Sequence, residues 1–235
     1  MSIVNEFVRP SYMPKYVPVG SCRLYLPGQD DAQSSTIRDR SGYGNNGTIT
    51  SATWERLGSG LWCLAFGGTD DWVKCGTDSS LNFTSGNFSI KAWIYHDDLG
   101  TSDFMFSRGE WQIDGWDVRL LLNNGDVSFR IFQVGAQQET ISNQVVAAAT
   151  WTHIVVVRSG TTGIIYINGA DQSKTQPAIT NPVTSTREFT IGTYAAGATT
   201  AEWDGKMALW EVRNVAMTAT QALGSYSQER HLFSV

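Results

Sequence analysis

Residues 88–95 read FSIKAWIY and decide the fold class. Apolar residues occupy every second position, and such alternation is typical of a β-strand that buries one face. The opposite face takes Trp93 and Tyr95, so it carries large aromatic side chains as well. The residues that share the first face are Phe88, Ile90, Ala92 and Ile94.

Similar stretches follow along the chain, separated by residues that favour tight turns. Asn123-Asn124-Gly125-Asp126 joins DVRLLL to VSFRIFQV, and Ser159-Gly160-Thr161-Thr162 joins HIVVVR to GIIYIN, which predicts two hairpins. About a dozen strands at spacings of about 8–12 residues indicate a β-sandwich or barrel. We expect one such domain over residues 21–235, with a single short helix that Thr218 and Gln221 begin as a capping box.

The composition supports this fold class and excludes several functions. The 235 residues include 23 Gly, 9 Trp, 8 Tyr and 10 Phe, as expected for short strands joined by turns. A formal net charge of −5 without any Lys/Arg cluster excludes nucleic acid and anionic membranes as partners. Neither a secretion signal nor a membrane anchor is predicted. The spacings of Cys22, Cys63 and Cys75 fit neither disulfides nor a zinc site, so we expect buried free thiols.

Residues 39–48, DRSGYGNNGT, contain glycines at the G-x-G-x-x-G spacing of a dinucleotide-binding loop. That motif needs a buried strand before it and a helix after it. The preceding QDDAQSSTIRDR is polar and the following TITSATWERLGSGLW lacks helix formers, so no nucleotide site is predicted. We expect a tight loop at a sandwich edge, in which Gly42, Gly44 and Gly47 take positive φ and Asp39 bonds the loop amides.

Five segments share their residues and their order with a known family. They are DRSGYGNNGT (39–48), FGGTDDWV (66–73), FSIKAWI (88–94), WTHIVVV leading to YING (151–169), and WDG with MALWEVR (203–213). The chain after its first 20 residues thus resembles a laminin-G-like, concanavalin A-like jelly-roll domain, the fold shared by pentraxins and legume lectins. The resemblance implies an all-β, two-sheet antiparallel sandwich with one short C-terminal helix. The opening CRLYLPG (22–28) resembles versions of this domain in phage and environmental sequences.

The sequence does not carry the catalytic residues of the glycoside hydrolases that use this fold. Those enzymes need two carboxylates about 5–5.5 Å apart, facing the glycosidic bond from one strand. Glu110 and Asp114 flank WQI between two glycines, and we expect them to be solvated loop acids. His96, His153 and His231 are isolated, and no nucleophile elbow is present. We predict a non-catalytic protein, with a glycoside hydrolase of the same fold as the remote alternative.

Two acidic turns are candidate calcium sites. Asp70 and Asp71 follow Gly-Gly-Thr, and Asp204 precedes a glycine. The resemblance implies calcium at loops near one sandwich edge, where glycine-rich turns expose the carbonyl oxygens that this ion accepts. The alternative is that these aspartates cap amides of their own turns. Both interpretations stay open, with Asp71 and Asp204 the better ligands.

Three tryptophans are candidates for sugar binding. The fold places sugars on its concave face or at loop edges, where an aromatic ring stacks on a pyranose and polar groups bond the hydroxyls. Trp111 and Trp116 lie in RGEWQIDGWD with Asp114 between them, and Trp203 lies in a second loop-like stretch. We expect most of the nine tryptophans in the core and these three at the surface. A calcium-dependent, carbohydrate-binding lectin module is one predicted function.

Residues 1–20 differ from the rest of the chain. Pro10, Pro14 and Pro18 prevent a helix and predict an extended N-terminal arm. Its apolar content favours docking on the sandwich or on a neighbouring subunit. The side chains expected to dock are Phe7, Tyr12, Met13 and Tyr16.

The second predicted function is structural. The free cysteines, the lack of a predicted secretion signal and the phage-like opening together favour a virion surface component, either a capsid decoration or a tail protein, which the arm would hold on the assembly. Such a protein assembles in the host cytoplasm, docks on other virion proteins and forms a homo-oligomer, for which we expect a trimer. The alternative localisation is the cell surface or the extracellular space. A decoration domain that also binds glycans would combine both functions.

Overall fold

A computed structural model describes residues 20–122, 124–174, 178–197 and 201–235, without the side chains of Gln144 and Val145. The strands are β1 (Cys22–Leu26), β2 (Thr36–Ile37), β3 (Gly47–Thr50), β4 (Thr53–Arg56), β5 (Trp62–Gly67), β6 (Trp72–Lys74), β7 (Phe88–His96), β8 (Phe104–Glu110), β9 (Asp114–Leu120), β10 (Asp126–Gln133), β11 (Ala136–Val145), β12 (Thr152–Ser159), β13 (Thr162–Ile167), β14 (Ala170–Asp171), β15 (Thr190–Ile191) and β16 (Asp204–Arg213). The helix α1 covers Ala219–Glu229, and short 3₁₀ turns cover Ser79–Leu81 and Arg230–Phe233.

The described strands form two antiparallel sheets. Sheet A has the order β14-β13-β12-β7-β16-β5-β4, and β1 pairs with the second half of β16. Sheet B has the order β11-β10-β9-β8-β15-β6-β3-β2. The predicted all-β sandwich with one short C-terminal helix is confirmed. The arm and its Phe7, Tyr12, Met13 and Tyr16 lie outside the described residues.

The core lies between the sheets and is built by alternation. On β7 the four residues predicted to share a face are all buried in one cluster with the inner residues of sheet B. Burial of each large apolar side chain stabilises the fold by about 1.5–3 kcal/mol. In sheet B, one row of directly paired residues crosses seven strands and points inward: Ile49, Val73, Ile191, Phe106, Val118, Phe129 and Thr140.

The adjacent row of sheet B points outward and is polar throughout. Six strand spacings of about 4.8 Å make this outer polar row about 29 Å long. The loop Thr193–Gly197 covers its middle, because Ala195 N donates to Ser107 Oγ (3.1 Å) and the Tyr194 ring stacks on Phe104 (4.8 Å between centroids). The two ends of the row are therefore separate surfaces. The residues of the outer polar row are Thr48, Lys74, Thr190, Ser107, Asp117, Arg130 and Glu139.

The outer face of sheet A is covered by the C-terminal helix. Thr218 Oγ1 accepts a hydrogen bond from Gln221 N, and Gln221 Oε1 accepts one from Thr218 N, which confirms the predicted capping box. The rings of Tyr226 and Phe233 stack on Trp93 at centroid distances of 5.8 and 4.2 Å. This packing leaves the outer face of sheet B as the broad sheet surface without a helix over it in the described chain.

The glycine loop 39–48 adopts a tight turn at the sandwich edge. Gly42 and Gly44 have the predicted positive φ, at 94° and 78°. The same prediction for Gly47 is wrong: this residue begins β3 in an extended conformation, and it must be glycine because a Cβ would lie 2.6 Å from Val73 Cγ1. The Asp39 carboxylate accepts hydrogen bonds from loop amides, as expected.

The three cysteines are free and buried, which confirms their predicted state. Burial is the main cause that raises the pKa of Cys63 to about 12, and it also raises the pKa of Cys75. Neither thiol is therefore ionised near neutral pH. Among the described residues, none of the helices has the length and apolar character needed to span a membrane.

Candidate binding surface

The β8–β9 hairpin places Trp111 at its tip, at one end of the outer face of sheet B. Its side chain is 51% exposed. The indole Nε1 donates to Gln137 Oε1 at 2.8 Å, and the Trp111 amide donates to the Tyr194 hydroxyl. These two bonds fix the ring and its backbone while leaving half of the side chain in water. Such a preorganised ring is suited to stacking on an apolar surface.

The hairpin that carries Trp111 is held by two glycines that face each other. A Cβ on Gly109 would lie 2.1 Å from the Asp114 carbonyl oxygen, and a Cβ on Gly115 would lie 1.8 Å from the Arg108 carbonyl oxygen. Both glycines also have positive φ, at 148° and 74°. No other residue type fits this approach of the two backbones. The tip therefore has one rigid conformation.

The acids beside Trp111 are already bonded within the hairpin. Asp114 Oδ1 accepts a hydrogen bond from Glu110 N at 3.1 Å, and Glu110 forms an ion pair with Arg187. Glu110 and Asp114 are direct cross-strand partners, so their side chains share a face. The expectation that they are solvated loop acids is wrong in this respect, since both act as structural partners.

Two of the predicted surface tryptophans are in the core. Trp116 is 1% exposed and packs against Phe88 and Phe189, and Trp203 is fully buried with its ring against His96. Their assignment to the surface is wrong, because Trp116 follows the inward alternation of β9. Neither indole can stack on a sugar in this conformation.

Polar residues under the Thr193–Gly197 loop connect Trp111 to the outer polar row. Arg130 donates from Nε to Asp117 Oδ1 at 2.8 Å, with both side chains buried. Burial raises the pKa of Asp117 despite the opposing charge of Arg130, and burial likewise raises the pKa of Tyr194. The Tyr194 hydroxyl lies within electrostatic range of Asp117, Arg130 and Arg187. A charge-balanced network therefore supports the backbone of Trp111.

Sequence reasoning missed three residues of this surface. Gln137, Tyr194 and Arg187 are 26, 83 and 77 residues away from the hairpin residues that they bond. Nothing in the local sequence of any of them indicates this role, because it depends on strand register and on the path of a loop.

The predicted calcium residues lie at the turn between β5 and β6 and at the start of β16. Asp70 has a left-handed φ of 60° and its amide bonds Glu202, whereas Asp71 Oδ2 accepts a hydrogen bond from Gly67 N at 2.6 Å. The capping alternative is therefore correct for Asp71. No group of three or more His, Cys, Asp or Glu side chains suited to a metal occurs among the described residues.

Asp204 lies beside this turn and is electrostatically unfavourable. A Cβ on Gly68 would lie 3.1 Å from Asp204 Cβ, so the two segments touch. Burial first, and then the neighbouring charge of Asp97, raise the pKa of Asp204. Asp98 and Asp103 act in the same direction. His96 acts in the opposite direction, so the acids at this corner are only partly compensated.

Several solved structures share the fold of this chain. The binding domain of Paraclostridial Mosquitocidal Protein 1 has a TM-score of 0.69 at 15% identity, over 88% of this chain and 52% of that chain. Domain 4 of AbnA, an extracellular GH43 arabinanase from Geobacillus stearothermophilus, is known in complex with arabinotriose. It has a TM-score of 0.68 at 15% identity, over 87% of this chain and 97% of that chain. The ligand-binding domain of Botulinum neurotoxin serotype D, in complex with N-acetylneuraminic acid, has a TM-score of 0.65 at 14% identity, over 88% of this chain and 51% of that chain.

These identities establish a shared fold, and the chain spans about half the length of the two toxin chains. No curated protein matches the sequence. A family model does match, over residues 66–222, and it contains most of both sheets and the start of α1. The chain therefore belongs to the Laminin_G_3 family, within the concanavalin A-like lectin/glucanases superfamily.

Proposed function

We propose that this protein is a non-catalytic, glycan-binding β-sandwich in which Trp111 is the stacking platform. The observation that carries the proposal is the half-exposed indole, held by Gln137 and Tyr194 on a hairpin that two glycines lock. A ring fixed before binding loses little conformational entropy when a sugar stacks on it. The arabinotriose complex of domain 4 of AbnA supports the ligand class, because a related fold there binds a neutral oligosaccharide.

Polar groups suited to sugar hydroxyls surround the ring. The Gln137 Nε2 group has no hydrogen-bond partner among the described residues, since only Oε1 is engaged by Trp111. Glu139 follows two residues later on the same face of β11, and its Oε1 accepts from Ser128 Oγ at 2.5 Å. A donor amide and an acceptor carboxylate within about 7 Å along one strand match the spacing of hydroxyls on a pyranose chain.

The absence of catalysis is part of the proposal. Glu110 is paired with Arg187 and Asp114 is bonded to the hairpin backbone, so neither carboxylate is free to act as a general acid or as a nucleophile. A hydrolysis screen over a glycan panel is expected to detect no product. Hydrolysis that is lost in Glu110→Gln would refute this part.

The binding proposal is tested with a glycan array followed by isothermal titration calorimetry. We expect Trp111→Ala to weaken binding of the glycan selected on the array by about 1–3 kcal/mol, the range for loss of one stacked ring. Trp62→Ala is the matched control, because Trp62 is a partly exposed tryptophan of sheet A. Equal affinities for Trp111→Ala and Trp62→Ala would exclude Trp111 as the platform.

A calcium requirement is a separate proposal for the Asp204 corner. It is supported by the raised pKa of Asp204 and by the nearby acids Asp97 and Asp98, whereas Asp103 is fully buried and paired with His96 at 2.6 Å. It is limited by Asp71, whose Oδ2 is already bonded. Thermal melts in calcium and in chelator test it. Identical melting curves would argue against a site.

A virion role is the second candidate function, and exposed apolar residues around Trp111 favour a protein contact there. Ile113, Val134 and Val183 are all exposed at neighbouring loops, and Gln112 O accepts from Gly135 N to join two of them. In this proposal the protein is a trimeric capsid decoration or tail component, anchored by residues 1–20, and the cell surface is the alternative location. Size-exclusion chromatography with light scattering tests it. Unchanged assembly after deletion of residues 1–18 would exclude docking by the arm.

A further inference from the structure

A cavity opens on the outer face of sheet B, at the end of the outer polar row opposite to Trp111. The glycine loop 39–48 forms one wall, β3 and β6 form the floor, and the segments around Thr77 and Glu188 close it. It encloses about 440 Å³, within the range of about 300–1,000 Å³ that is usual for small-ligand sites. This space is called the loop cavity below.

The walls of the loop cavity are fixed by hydrogen bonds inside the protein. Asp39 accepts from the amides of Ser41 (2.8 Å) and Asn45 (3.0 Å). Asn45 Nδ2 donates to Arg23 O at 2.8 Å and to Ser80 Oγ at 2.9 Å. Asn46 Oδ1 accepts from Asp39 N at 2.8 Å. The loop therefore needs little ordering when a ligand enters.

Tyr43 offers an aromatic face to the loop cavity. Its side chain is 47% exposed, and the Arg23 guanidinium lies over one side of the ring at 4.6 Å. Arg23 lines a neighbouring cavity, whereas Tyr43 lines the loop cavity. The side of the ring away from Arg23 is thus free for a ligand, and the cation on the far side fixes the orientation of the ring.

The polar groups of the loop cavity include hydroxyls, an ion pair and the Asp78 carboxylate. The hydroxyls of Tyr43, Thr48 and Thr77 have no hydrogen-bond partner in the part of the chain that the structure describes. Lys74 Nζ lies 3.1 Å from Glu188 Oε2, and Asp78 also lines the cavity, so the lining has an excess of one negative charge. This excess disfavours an anionic ligand, whereas a neutral polyol can both accept from the Lys74 ammonium and donate to the Glu188 carboxylate.

We propose that the loop cavity is a second binding site, for a neutral sugar residue that stacks on Tyr43 and bonds Thr48, Lys74 and Glu188. It is independent of the Trp111 surface. Lys74 on β6 and Gln137 on β11 are separated by five strand spacings, or about 24 Å. The covering loop Thr193–Gly197 lies between them. One chain therefore presents two sugar sites on one face, which favours multivalent binding to a polysaccharide.

The test is amide chemical-shift mapping of the full chain with five probes: the methyl glycosides of glucose, galactose, mannose, N-acetylglucosamine and arabinose. We expect at least one probe to shift amides of residues 43–48, 74–78 and 188 in the wild type and equally in Trp111→Ala. Thr48→Phe fills the cavity from a strand position and is expected to weaken this binding at least tenfold. Thr53→Phe is the matched control, since Thr53 is an exposed strand threonine of sheet A.

The outcomes separate this site from the Trp111 surface. Loss of the shifts in Trp111→Ala, persistence in Thr48→Phe, or no shift with any of the five probes would each overturn the proposal. Lys74→Met provides a second variant at an exposed side chain should Thr48→Phe fold poorly, and it is expected to weaken binding without a change in fold. Tighter binding of methyl glucuronide than of methyl glucoside would refute the neutral ligand class.

Discussion

Replacement of Lys91 tests most directly whether buried ion pairs beneath α1 stabilise the outer face of sheet A. Its ammonium lies under α1, 2.6 Å from Glu229 Oε1 and 3.4 Å from Glu211 Oε2, and the side chain is only 5% exposed. Burial alone would lower the pKa of Lys91, but the charges of Glu229 and Glu211 outweigh it and raise that pKa. Lys91→Met keeps the volume of the stem while it removes the charge that both carboxylates face.

The expected loss of unfolding free energy depends on which contacts Glu211 and Glu229 keep in Lys91→Met. Removing one partner of a buried ion pair typically destabilises a protein by about 3–5 kcal/mol. Glu211 keeps its contact with Arg213 at 2.5 Å, and Glu229 keeps the hydrogen bond from Trp93 Nε1 at 2.7 Å. We therefore expect the lower end, about 3 kcal/mol of unfolding free energy, or a melting temperature lower by about 6–12 °C.

Urea denaturation followed by far-ultraviolet circular dichroism measures this loss. Lys74→Met is the matched control, because Lys74 pairs with Glu188 at 3.1 Å while both side chains are about two-fifths exposed. An exposed pair contributes about 0–1 kcal/mol. The double variant Lys91→Met/Glu229→Gln should recover part of the loss, since it removes the uncompensated carboxylate. Equal stabilities for Lys91→Met and Lys74→Met would refute the reasoning.

Three further predictions concern other parts of the fold. Gly115→Ala should destabilise the protein by at least about 2 kcal/mol in thermal unfolding, because its Cβ would overlap the Arg108 carbonyl oxygen; an unchanged melting temperature would contradict the locked hairpin. The pKa of Asp204 is raised above 3.8 in the folded state, so its contribution to stability is fully present below pH 3.8 and is lost as the pH rises through the folded-state pKa. Asp204→Asn should therefore raise the melting temperature at neutral pH in chelator and have no such effect near pH 3, and a lower melting temperature at neutral pH would disprove it. Native Cys63, with a pKa of about 12, should not react with Ellman's reagent at neutral pH until the protein is unfolded; rapid labelling of the folded protein would show that the site opens.

The architecture was predictable from the sequence because it depends on patterns of residues that are close together in the chain. Phe88 to Ile94 alternate in the sequence, and they alternate equally in the structure, since one face of β7 packs on sheet B and the other lies under α1. The capping box of Thr218 and Gln221 is likewise a matter of four consecutive residues. The placement of Trp116 was also present in the alternation of Trp116, Val118 and Leu120, which the nearby glycines obscured.

The binding surface was not predictable to the same extent, because it depends on register. Glu139 comes to share one sheet face with Lys74 only through five separate strand pairings. Trp203 lies in an irregular stretch before β16, where no periodicity indicates whether the ring points in or out. Lys91 occupies an otherwise apolar strand, and its partner Glu229 lies 138 residues away. Sequence patterns indicate that such groups exist, but not which of them meet.

Ligand binding is expected on the outer face of sheet B alone, because the two sheets differ in how far their outer faces are covered. The outer face of sheet A is filled by α1, whose Glu229 closes over Lys91 and Trp93, so exposing that face would leave buried charges unpaired. Among the described residues, the short loop Thr193–Gly197 lies across the middle of the outer face of sheet B, and a row of polar residues extends beyond that loop on both sides. A single loop over a long polar row divides it into two sites, and each end has its own exposed aromatic residue, Trp111 or Tyr43.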